Sequence, residues 1–333
     1  MSAGGNRELD PGPAHAVAVA CGITDYPQGI SAVDTEYVRR RLDASHLIVE
    51  HGRAAFVDTG TALSVPHLLA ALAAKGLGVD AVDWVFLTHI HLDHAGGAGT
   101  LLEALPNARA AVHPRGAAHL VDPAKLVAAT RLVYGAAAYE ALYGEIRPIP
   151  AQRLVVTEDG DELQLAGRSF SFLHTPGHAL HHQIIHDREA QAVFSGDTFG
   201  VSYRETDVAG RAFIMPATTP TQFDPEQLHL SIDRVLACAP RAVYLTHYSR
   251  VTEIQRLGAD LHAGVNAYVA IAERHALDPE RAARIAADMT QWLWARLDEH
   301  GYTGEAAVRQ AVLGDDITLN TQGLIAWLAR RRH

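Results

Sequence analysis

A short run near residue 90 concentrates side chains that bind metal ions. The run reads His89-Ile90-His91-Leu92-Asp93-His94, and two glycines follow it closely. In an extended segment residues i and i+2 face the same way, so His89 and His91 can converge on one ion. A turn after Leu92 lets Asp93 and His94 face a second ion beside the first. Because imidazole and carboxylate ligands suit Zn²⁺ and other borderline divalent ions, the run predicts a metal site.

Three more residues of ligand type follow later strands of the sequence. Pro-Gly precedes His178 and forces a tight turn at the end of a predicted strand. Asp197 ends a short apolar run, and the apolar run before His247 is similar to the one before His89. Each position is ambiguous alone, since Gly-Asp is more often a turn and a single histidine is more often structural. Together, ligand-type residues at four strand ends indicate one site at the edge of a sheet scaffold.

The elements that must position these residues alternate between strands and helices. The predicted β segments are a hairpin over 46–58, then 82–88, 108–113, 153–174, 183–187, 191–195 and 242–246. The predicted helical segments are 64–75, with Ser64 as N-cap, 98–105 and 114–144. This alternation predicts two packed sheets covered by helices.

The β pattern ends near residue 252. Helical composition and spacing continue over 253–274, 278–299, 304–313 and Leu324–Arg332. We therefore divide the chain into an N-terminal tail over 1–20, a catalytic domain over 21–251 and a helical C-terminal extension over 252–333. The extension is expected to pack on the main domain, cover the mouth of the site or form a dimer contact.

Composition limits the class of protein. Lys and Arg total 28 against 38 Asp and Glu, and the formal net charge of −10 disfavours a nucleic-acid partner. Cys21 and Cys238 are far apart in the sequence, so we expect free thiols in a reducing cytosol. The first residues lack a signal-peptide pattern and no apolar run reaches the ~18 residues of a membrane span. We therefore expect a cytoplasmic protein without a membrane partner.

The order of these motifs resembles the metallo-β-lactamase superfamily, and within it the glyoxalase-II-like metallo-hydrolases. The resemblance covers about residues 46–250. It implies an α/β (α+β) fold, a four-layer αββα sandwich with the metals at one edge and the C-terminal helices as an appendage. Carried over by motif, it implies a first metal on His89, His91 and His178, a second on Asp93, His94 and His247, and Asp197 as the bridge.

The resemblance also assigns two supporting residues. Asp58 matches the early Asp-Thr-Gly of the family, and His182 matches the second histidine that follows the Pro-Gly-His turn. Such neighbours of metal ligands commonly fix the tautomers of the ligands. No cysteine stands at a ligand position, and Asp at 197 favours two metals. The glutathione-binding pattern of true glyoxalase II has no match after Gly196, which leaves the substrate open.

The implied function is metal-dependent hydrolysis of an ester, thioester or lactone-type small molecule. The cofactors would be two divalent ions, with Zn²⁺ favoured and Fe or Mn as alternatives. Two cations lower the pKa of a shared water enough to make it a nucleophile near neutral pH. Asp93 is the candidate catalytic residue, because its carboxylate can orient the nucleophile or pass a proton to the leaving group.

Two alternative functions stay open. Some members of the superfamily resemble this chain in the HxHxDH run yet hold one iron and oxidise glutathione persulfide. A metal-containing binding protein without activity is the other alternative, and it would need a blocked pocket. The oligomeric state is also undecided. An apolar group at helical spacing would suit either packing on the main domain or a homodimer contact; it consists of Trp292, Leu293, Trp294 and Leu297.

Other residues near the ligands are weaker candidates. Three residues near the ligands in the sequence could either hydrogen-bond the substrate or serve ordinary packing: Tyr203, Arg204 and Tyr248. Those for which we expect structural roles are His113, His119 and His174. The sequence around His181-His182 is typical of an exposed segment. The supporting role implied for His182 accounts for one of the two histidines.

Overall fold

The computed structural model describes residues 22–218 and 222–331 of the 333-residue chain. The predicted tail over 1–20 and Cys21 lie outside these residues. Within them, the layers follow one another as helices, sheet, sheet and helices. This is the αββα sandwich that the sequence predicts, in which each sheet packs against its partner sheet on one face and against helices on the other.

In the described residues the first sheet has the strands β1 (Ile23–Asp25), β2 (Ile30–Asp34), β3 (Ala44–Glu50), β4 (Arg53–Val57), β5 (Val82–Phe86), β6 (Arg109–Val112) and β7 (Leu154–Val156). They lie side by side in sequence order. Strands β1 to β4 pair antiparallel, whereas β4 to β7 pair in parallel. The parallel strands therefore end at the same edge of the sheet, where the His89 loop begins.

The second sheet has the strands β8 (Glu162–Leu165), β9 (Arg168–His174), β10 (Gln183–Asp187), β11 (Ala192–Gly196), β12 (Ala242–Leu245) and β13 (Ser249–Val251). Their order follows the sequence, and β11 and β12 form its parallel pair. The turns of β9, β11 and β12 that carry ligand-type residues therefore face the same edge as the end of β5.

The helices of the described chain are α1 (Val65–Ala74), α2 (Leu92–Ala95), α3 (Ala98–Ala104), α4 (Pro114–Val121), α5 (Ala124–Tyr134), α6 (Ala136–Tyr143), α7 (Pro225–Ala237), α8 (Ile254–Arg274), α9 (Arg281–His300) and α10 (Ala306–Arg330). The predicted helical stretch 114–144 is divided into α4, α5 and α6. Gly135, at φ 82°, ends α5, because an L side chain rarely adopts that backbone conformation.

Three details differ from the sequence-based expectations. The segments 304–313 and 324–332 belong to one helix, α10, because polar residues between them have tertiary partners; the side chain of Asn320 accepts a hydrogen bond from the backbone N–H of Thr218 (2.6 Å). Ser64 does not cap α1 with its side chain, which instead donates to the backbone carbonyl of Thr35 (3.2 Å). Strands β1, β2 and β13 are additional to the predicted ones.

Aromatic side chains fill the space between the two sheets. Phe86 of the first sheet contacts Phe170 and Phe172 of the second, with ring centroids 5.2 and 5.3 Å apart. Phe194 stacks on Tyr244 at 5.1 Å farther along the second sheet. Rings of this size each bury a large apolar area, so this layer fixes the spacing of the two sheets and of the strand ends above them.

The C-terminal helices share a core with the second sheet. Leu257, Leu261 and Leu324 are fully buried in one cluster with Ile184 and Val243 of that sheet. The boundary at residue 252 stays a prediction, but apolar side chains on both sides of it pack together. Within residues 22–218 and 222–331, the helices are too short or too polar for a membrane crossing.

We predict that the C-terminal helices unfold together with the sandwich. Leu261→Ala, which removes a fully buried side chain, should lower the free energy of unfolding by about 2–5 kcal/mol and keep a single transition. Denaturant titration followed by both near- and far-ultraviolet circular dichroism measures this. The matched control is Leu277→Ala, because Leu277 is 88% exposed and should change stability by less than about 0.5 kcal/mol. Two separated transitions would contradict the shared core.

Candidate metal centre

The predicted ligands come from loops at one edge of the sandwich. His89 and His91 follow β5, Asp93 and His94 lie in the one-turn helix α2, and the others follow strands of the second sheet as His178, Asp197 and His247. The structure brings all seven side chains together in three overlapping groups whose ligand atoms lie within 4.8 Å of one another. These groups are His89-His91-His178, His89-His94-Asp197 and Asp93-His94-His247.

The first group consists of imidazoles. His91 Nδ1 lies 2.8 Å from His89 Nε2 and 3.3 Å from His178 Nε2. Three ring nitrogens therefore point to a common space small enough for one ion. His91 presents Nδ1 to this space, whereas His89 and His178 present Nε2.

The second group mixes a carboxylate with imidazoles. Asp93 Oδ2 lies 3.8 Å from His94 Nε2 and 3.6 Å from His247 Nε2. Asp197 lies between the two groups, because its Oδ2 is 3.3 Å from His178 Nε2 and its Oδ1 is 3.3 Å from His94 Nε2. One carboxylate thus faces both groups with different oxygens, as a bridging ligand must.

Hydrogen bonds on the far side of the rings set their tautomers. His178 Nδ1 donates to the carbonyl of Ala217 (3.1 Å), and His247 Nδ1 donates to the carbonyl of Leu42 (3.0 Å). His94 Nδ1 pairs with the carboxylate of Asp58 (2.8 Å). In each ring Nε2 is therefore the atom that faces the centre, which is the usual arrangement of metal-bound histidine.

Asp58 supports the centre as the resemblance implies. Its carboxylate accepts hydrogen bonds from the backbone N–H and the hydroxyl of Thr88, at 2.8 and 2.7 Å, and from the hydroxyl of Thr246 at 3.1 Å. With His94, this gives one buried carboxylate four partners on three different segments. Asp58 itself lies at φ 55°, a backbone conformation that turns the chain back toward Thr88.

His182 positions the backbone of Asp197. Its Nε2 accepts a hydrogen bond from the Asp197 N–H (3.2 Å), and its Nδ1 lies 2.9 Å from the hydroxyl of Thr175. A β-carbon on Gly196 would lie 2.6 Å from Thr88 Oγ1 and 2.7 Å from His182 Nε2. Gly196 therefore permits the close approach that brings Asp197 to the centre.

The weaker candidates lie in varied surroundings. Tyr203 is buried and donates to the carboxylate of Asp316 (3.1 Å), and Arg204 donates to the carbonyl of Ser202 (2.7 Å). His181 is buried, contrary to the expected exposure, and its ring centroid lies 5.4 Å from that of His91.

The remaining candidates pack around the centre. Tyr248 is buried with the guanidinium of Arg41 over its ring at 5.6 Å. The rings of His113 and His174 are in contact, with centroids 4.0 Å apart and planes tilted by 42°. His119 is half-buried on α4. Each of these environments suits a structural role.

Burial and carboxylates give the two groups opposite protonation states. Burial lowers the pKa of His89 and His178, and that of His91 to about 3, so these rings are neutral at pH 7. Burial also disfavours charge on His94 and His247, but nearby carboxylates outweigh it. They raise the pKa of His94 well above 6.5 and that of His247 to about 10.

The carboxylates respond to the same imidazoles. Burial would raise the pKa of Asp93 and of Asp197, but His94 and His247 oppose it. The pKa of Asp93 is lowered to about 2 and that of Asp197 falls well below 3.8. Both carboxylates are therefore anionic at neutral pH, as metal ligands must be.

The residues present fit a pair of divalent cations. His94 Nε2 and Asp197 Oδ1 are buried and lie 3.3 Å apart, and neither forms a hydrogen bond of normal geometry with the described residues. A buried polar atom without a partner is costly, unless a ligand satisfies it. A cation between these two atoms would do so, and the mixture of imidazole and carboxylate suits Zn²⁺, Fe²⁺ or Mn²⁺.

Comparison with known proteins points to one family. A family model described as the metallo-beta-lactamase superfamily matches residues 40–248, which contain every predicted ligand. The archaeal metallo-beta-lactamase fold-containing protein ST1585 from Sulfurisphaera tokodaii is 27% identical over 173 residues, 51% of this chain and 61% of that protein. Its crystal structure superposes with a TM-score of 0.61 at 20% identity, covering 90% of this chain and 99% of that chain.

Two curated enzymes also match. Hydroxyacylglutathione hydrolase from Pseudomonas aeruginosa is 30% identical over 201 residues, 59% of this chain and 57% of that protein. Atrochrysone carboxyl ACP thioesterase from Aspergillus chevalieri is 28% identical over 143 residues, 42% of this chain and 35% of that protein. The matched region thus spans less than two thirds of the length of each of these curated relatives.

We predict that the two groups differ in the pH dependence of metal binding. At pH 7 the first group is neutral, whereas His94 and His247 carry protons that an ion must displace. Affinity at the second group should therefore rise with pH, by up to about two orders of magnitude per unit, and level off as pH passes the raised pKa values. Calorimetric Zn²⁺ titrations in buffers of different ionisation enthalpy measure the released protons. Equal proton release by both equivalents would contradict the assignment.

We also predict that Asp58→Asn weakens the second group selectively. The amide cannot accept from His94 Nδ1 and both Thr88 donors as the carboxylate does, so His94 loses its orientation. Affinity for the second equivalent should fall about 10- to 100-fold, while the first changes little. The same calorimetric titration measures both equivalents. Asp83→Asn serves as the control and should leave both affinities unchanged. Asp83 lies on β5 and forms a half-exposed ion pair with Arg53 of β4.

Proposed function

Because the chain belongs to the metallo-beta-lactamase superfamily, we propose that it is a dinuclear metallo-hydrolase that cleaves an ester, thioester or lactone-type small molecule. The observation that carries the proposal is the pair of ligand groups that share Asp197. Each group offers three ligand atoms, and the overlapping group His89-His94-Asp197 connects them. Within it, His94 Nε2 and Asp197 Oδ1 lie 3.3 Å apart without a hydrogen bond of normal geometry.

Two bound divalent ions would supply a water of lowered pKa and would polarise the substrate carbonyl. The chain contributes the geometry of this chemistry. His89, His91 and His178 would hold one ion, and Asp93, His94 and His247 the other. The hydrogen bonds to Asp58, Leu42 and Ala217 fix the rings before any substrate arrives, so little reorganisation is needed during the reaction.

Asp93 is the proposed catalytic residue as well as a ligand. Its side chain is 22% exposed, whereas His94 is fully buried, so Asp93 borders the open side of the centre. The pKa of its carboxyl, lowered to about 2, keeps it ionised at neutral pH. An ionised carboxylate at the opening can accept a hydrogen bond from the nucleophile and hold a proton for the leaving group.

The names of the relatives favour acyl substrates. One is a thioesterase and another a hydroxyacylglutathione hydrolase, so thioesters come first among the candidate substrates. The two ligand groups support a hydrolase with two ions over a single-iron oxidase, because Asp93, His94 and His247 form a second complete set. The proposed small-molecule substrate, cytoplasmic location, homodimer and absence of nucleic-acid and membrane partners stay predictions.

We predict that activity depends on about two divalent ions per chain. Freshly purified protein should contain them by elemental analysis, and dialysis against a chelator should abolish thioester, ester or lactone hydrolysis. Readdition of Zn²⁺ should restore the rate. Full activity without metal would exclude the hydrolase proposed here. One iron per chain with oxygen consumption on a persulfide would instead identify the oxidative alternative.

We predict a selective effect of removing one ligand. His247→Asn should reduce the metal content to about one ion per chain and lower kcat/KM by more than about 100-fold. The matched control is His51→Asn, since the His51 side chain is 80% exposed in the turn between β3 and β4. The control should retain both the metal and the rate, as measured by elemental analysis and steady-state kinetics. Equal losses in the two variants would contradict the ligand assignment.

A further inference from the structure

The metal-binding cluster is open on the side of Asp93 and His91. His89 and His94 are fully buried, and His178 is 3% exposed. In contrast, His91 is half-buried and the side chain of Asp93 is 22% exposed. A substrate must therefore approach from this side, and the side chains that border it can select among substrates.

Three tyrosines meet beside this opening. Tyr134 is the last residue of α5, Tyr143 is the last residue of α6, and Tyr37 lies in the loop between β2 and β3. Tyr37 and Tyr143 pack with Leu92, the residue directly before Asp93, in one hydrophobic cluster. Tyr134 packs against the same cluster, to which Tyr139 also belongs.

A hydrogen bond joins two of the three hydroxyl groups. The hydroxyls of Tyr37 and Tyr143 are 2.7 Å apart, so one of them donates to the other and the second hydrogen stays available. The ring of Tyr134 meets that of Tyr143 edge to face at 5.7 Å, and Tyr134 is the half-buried member of the set. Because the pKa of Tyr134 is raised to about 12, its hydroxyl remains a donor throughout the neutral range.

We propose that Tyr134, positioned by the hydrogen-bonded pair Tyr37 and Tyr143, donates a hydrogen bond to an acceptor oxygen of the substrate close to the scissile bond. The proposal rests on the hydrolase function above and adds a substrate class, namely acyl compounds with an ether, hydroxyl or carbonyl oxygen beside the reacting carbonyl.

The test uses thioesters that differ by one oxygen. S-Butyl butanethioate is the reference, and a methylene is replaced by oxygen either in the acyl part (S-butyl methoxyethanethioate) or in the thiol part (S-2-methoxyethyl butanethioate). The ratio of kcat/KM for an oxygen compound to that of the reference cancels general losses of activity. It isolates the hydrogen bond, because the compared molecules have the same length and charge.

We predict that Tyr134→Phe lowers this ratio about 3- to 30-fold for one of the two oxygen compounds. Tyr143→Phe should lower the same ratio by a smaller factor, because Tyr143 acts through Tyr134. The matched control is Tyr139→Phe. Tyr139 is a buried tyrosine of α6 whose ring lies 5.4 Å from that of Tyr143 and under the guanidinium of Arg131. Its substitution therefore tests a packing change beside the same pair, and it should leave the ratio unchanged.

Unchanged ratios for both oxygen compounds in Tyr134→Phe, or an equal change in Tyr139→Phe, would overturn the proposal. Its failure is distinguishable from that of the hydrolase function. If the metal-loaded protein cleaves none of the thioesters, the corresponding amides give the same comparison at equilibrium. N-Butylbutanamide, N-butyl-2-methoxyacetamide and N-(2-methoxyethyl)butanamide would be titrated by NMR. Tyr134→Phe should weaken binding of one oxygen compound by a similar factor and leave the reference amide unaffected.

Discussion

The buried carboxylate of Asp58 is the interaction on which the arrangement of the centre depends. It follows β4 of the first sheet and binds the segment after β5 through Thr88, the helix α2 through His94 and the segment after β12 through Thr246. The two sheets are held apart by aromatic side chains, so their edges could shift against each other. Asp58 connects the loops of both sheets at the level of the ligands, and a carboxylate with several donors is a strong link in a buried setting.

Candidate ligands could be selected from the sequence, and their clustering anticipated, because their signal is local. The HxHxDH run, the Pro-Gly turn before His178 and the apolar runs before Asp197 and His247 each place a ligand-type residue at a strand end. The supporting carbonyls of Leu42 and Ala217 could not be predicted, since a backbone group carries no side-chain signal. The three tyrosines could not be predicted either, because Tyr37 and Tyr143 lie 106 residues apart and meet through the fold.

The tertiary packing of the helices after residue 252 could not be predicted from the sequence either. Their amphipathic spacing predicts helices, but periodicity does not state which surface a helix covers. In the structure Leu261 and Leu324 join the core of the second sheet, so an apparent appendage stabilises the sheet that carries three of the predicted ligands. The polar stretch that suggested a break in α10 is accommodated because Asn320 meets the backbone of Thr218, a contact between residues 102 positions apart.

The opposite protonation states of the two groups balance the charges of the proposed centre. Two buried carboxylates close together would be strongly destabilising if both were ionised without a counter-charge. His94 and His247, protonated at neutral pH, supply that charge to Asp93 and Asp197. The first group contains imidazoles that are neutral and needs no such compensation. A cation entering the second group therefore replaces protons that already balance the same carboxylates, and the surrounding hydrogen bonds can stay as they are.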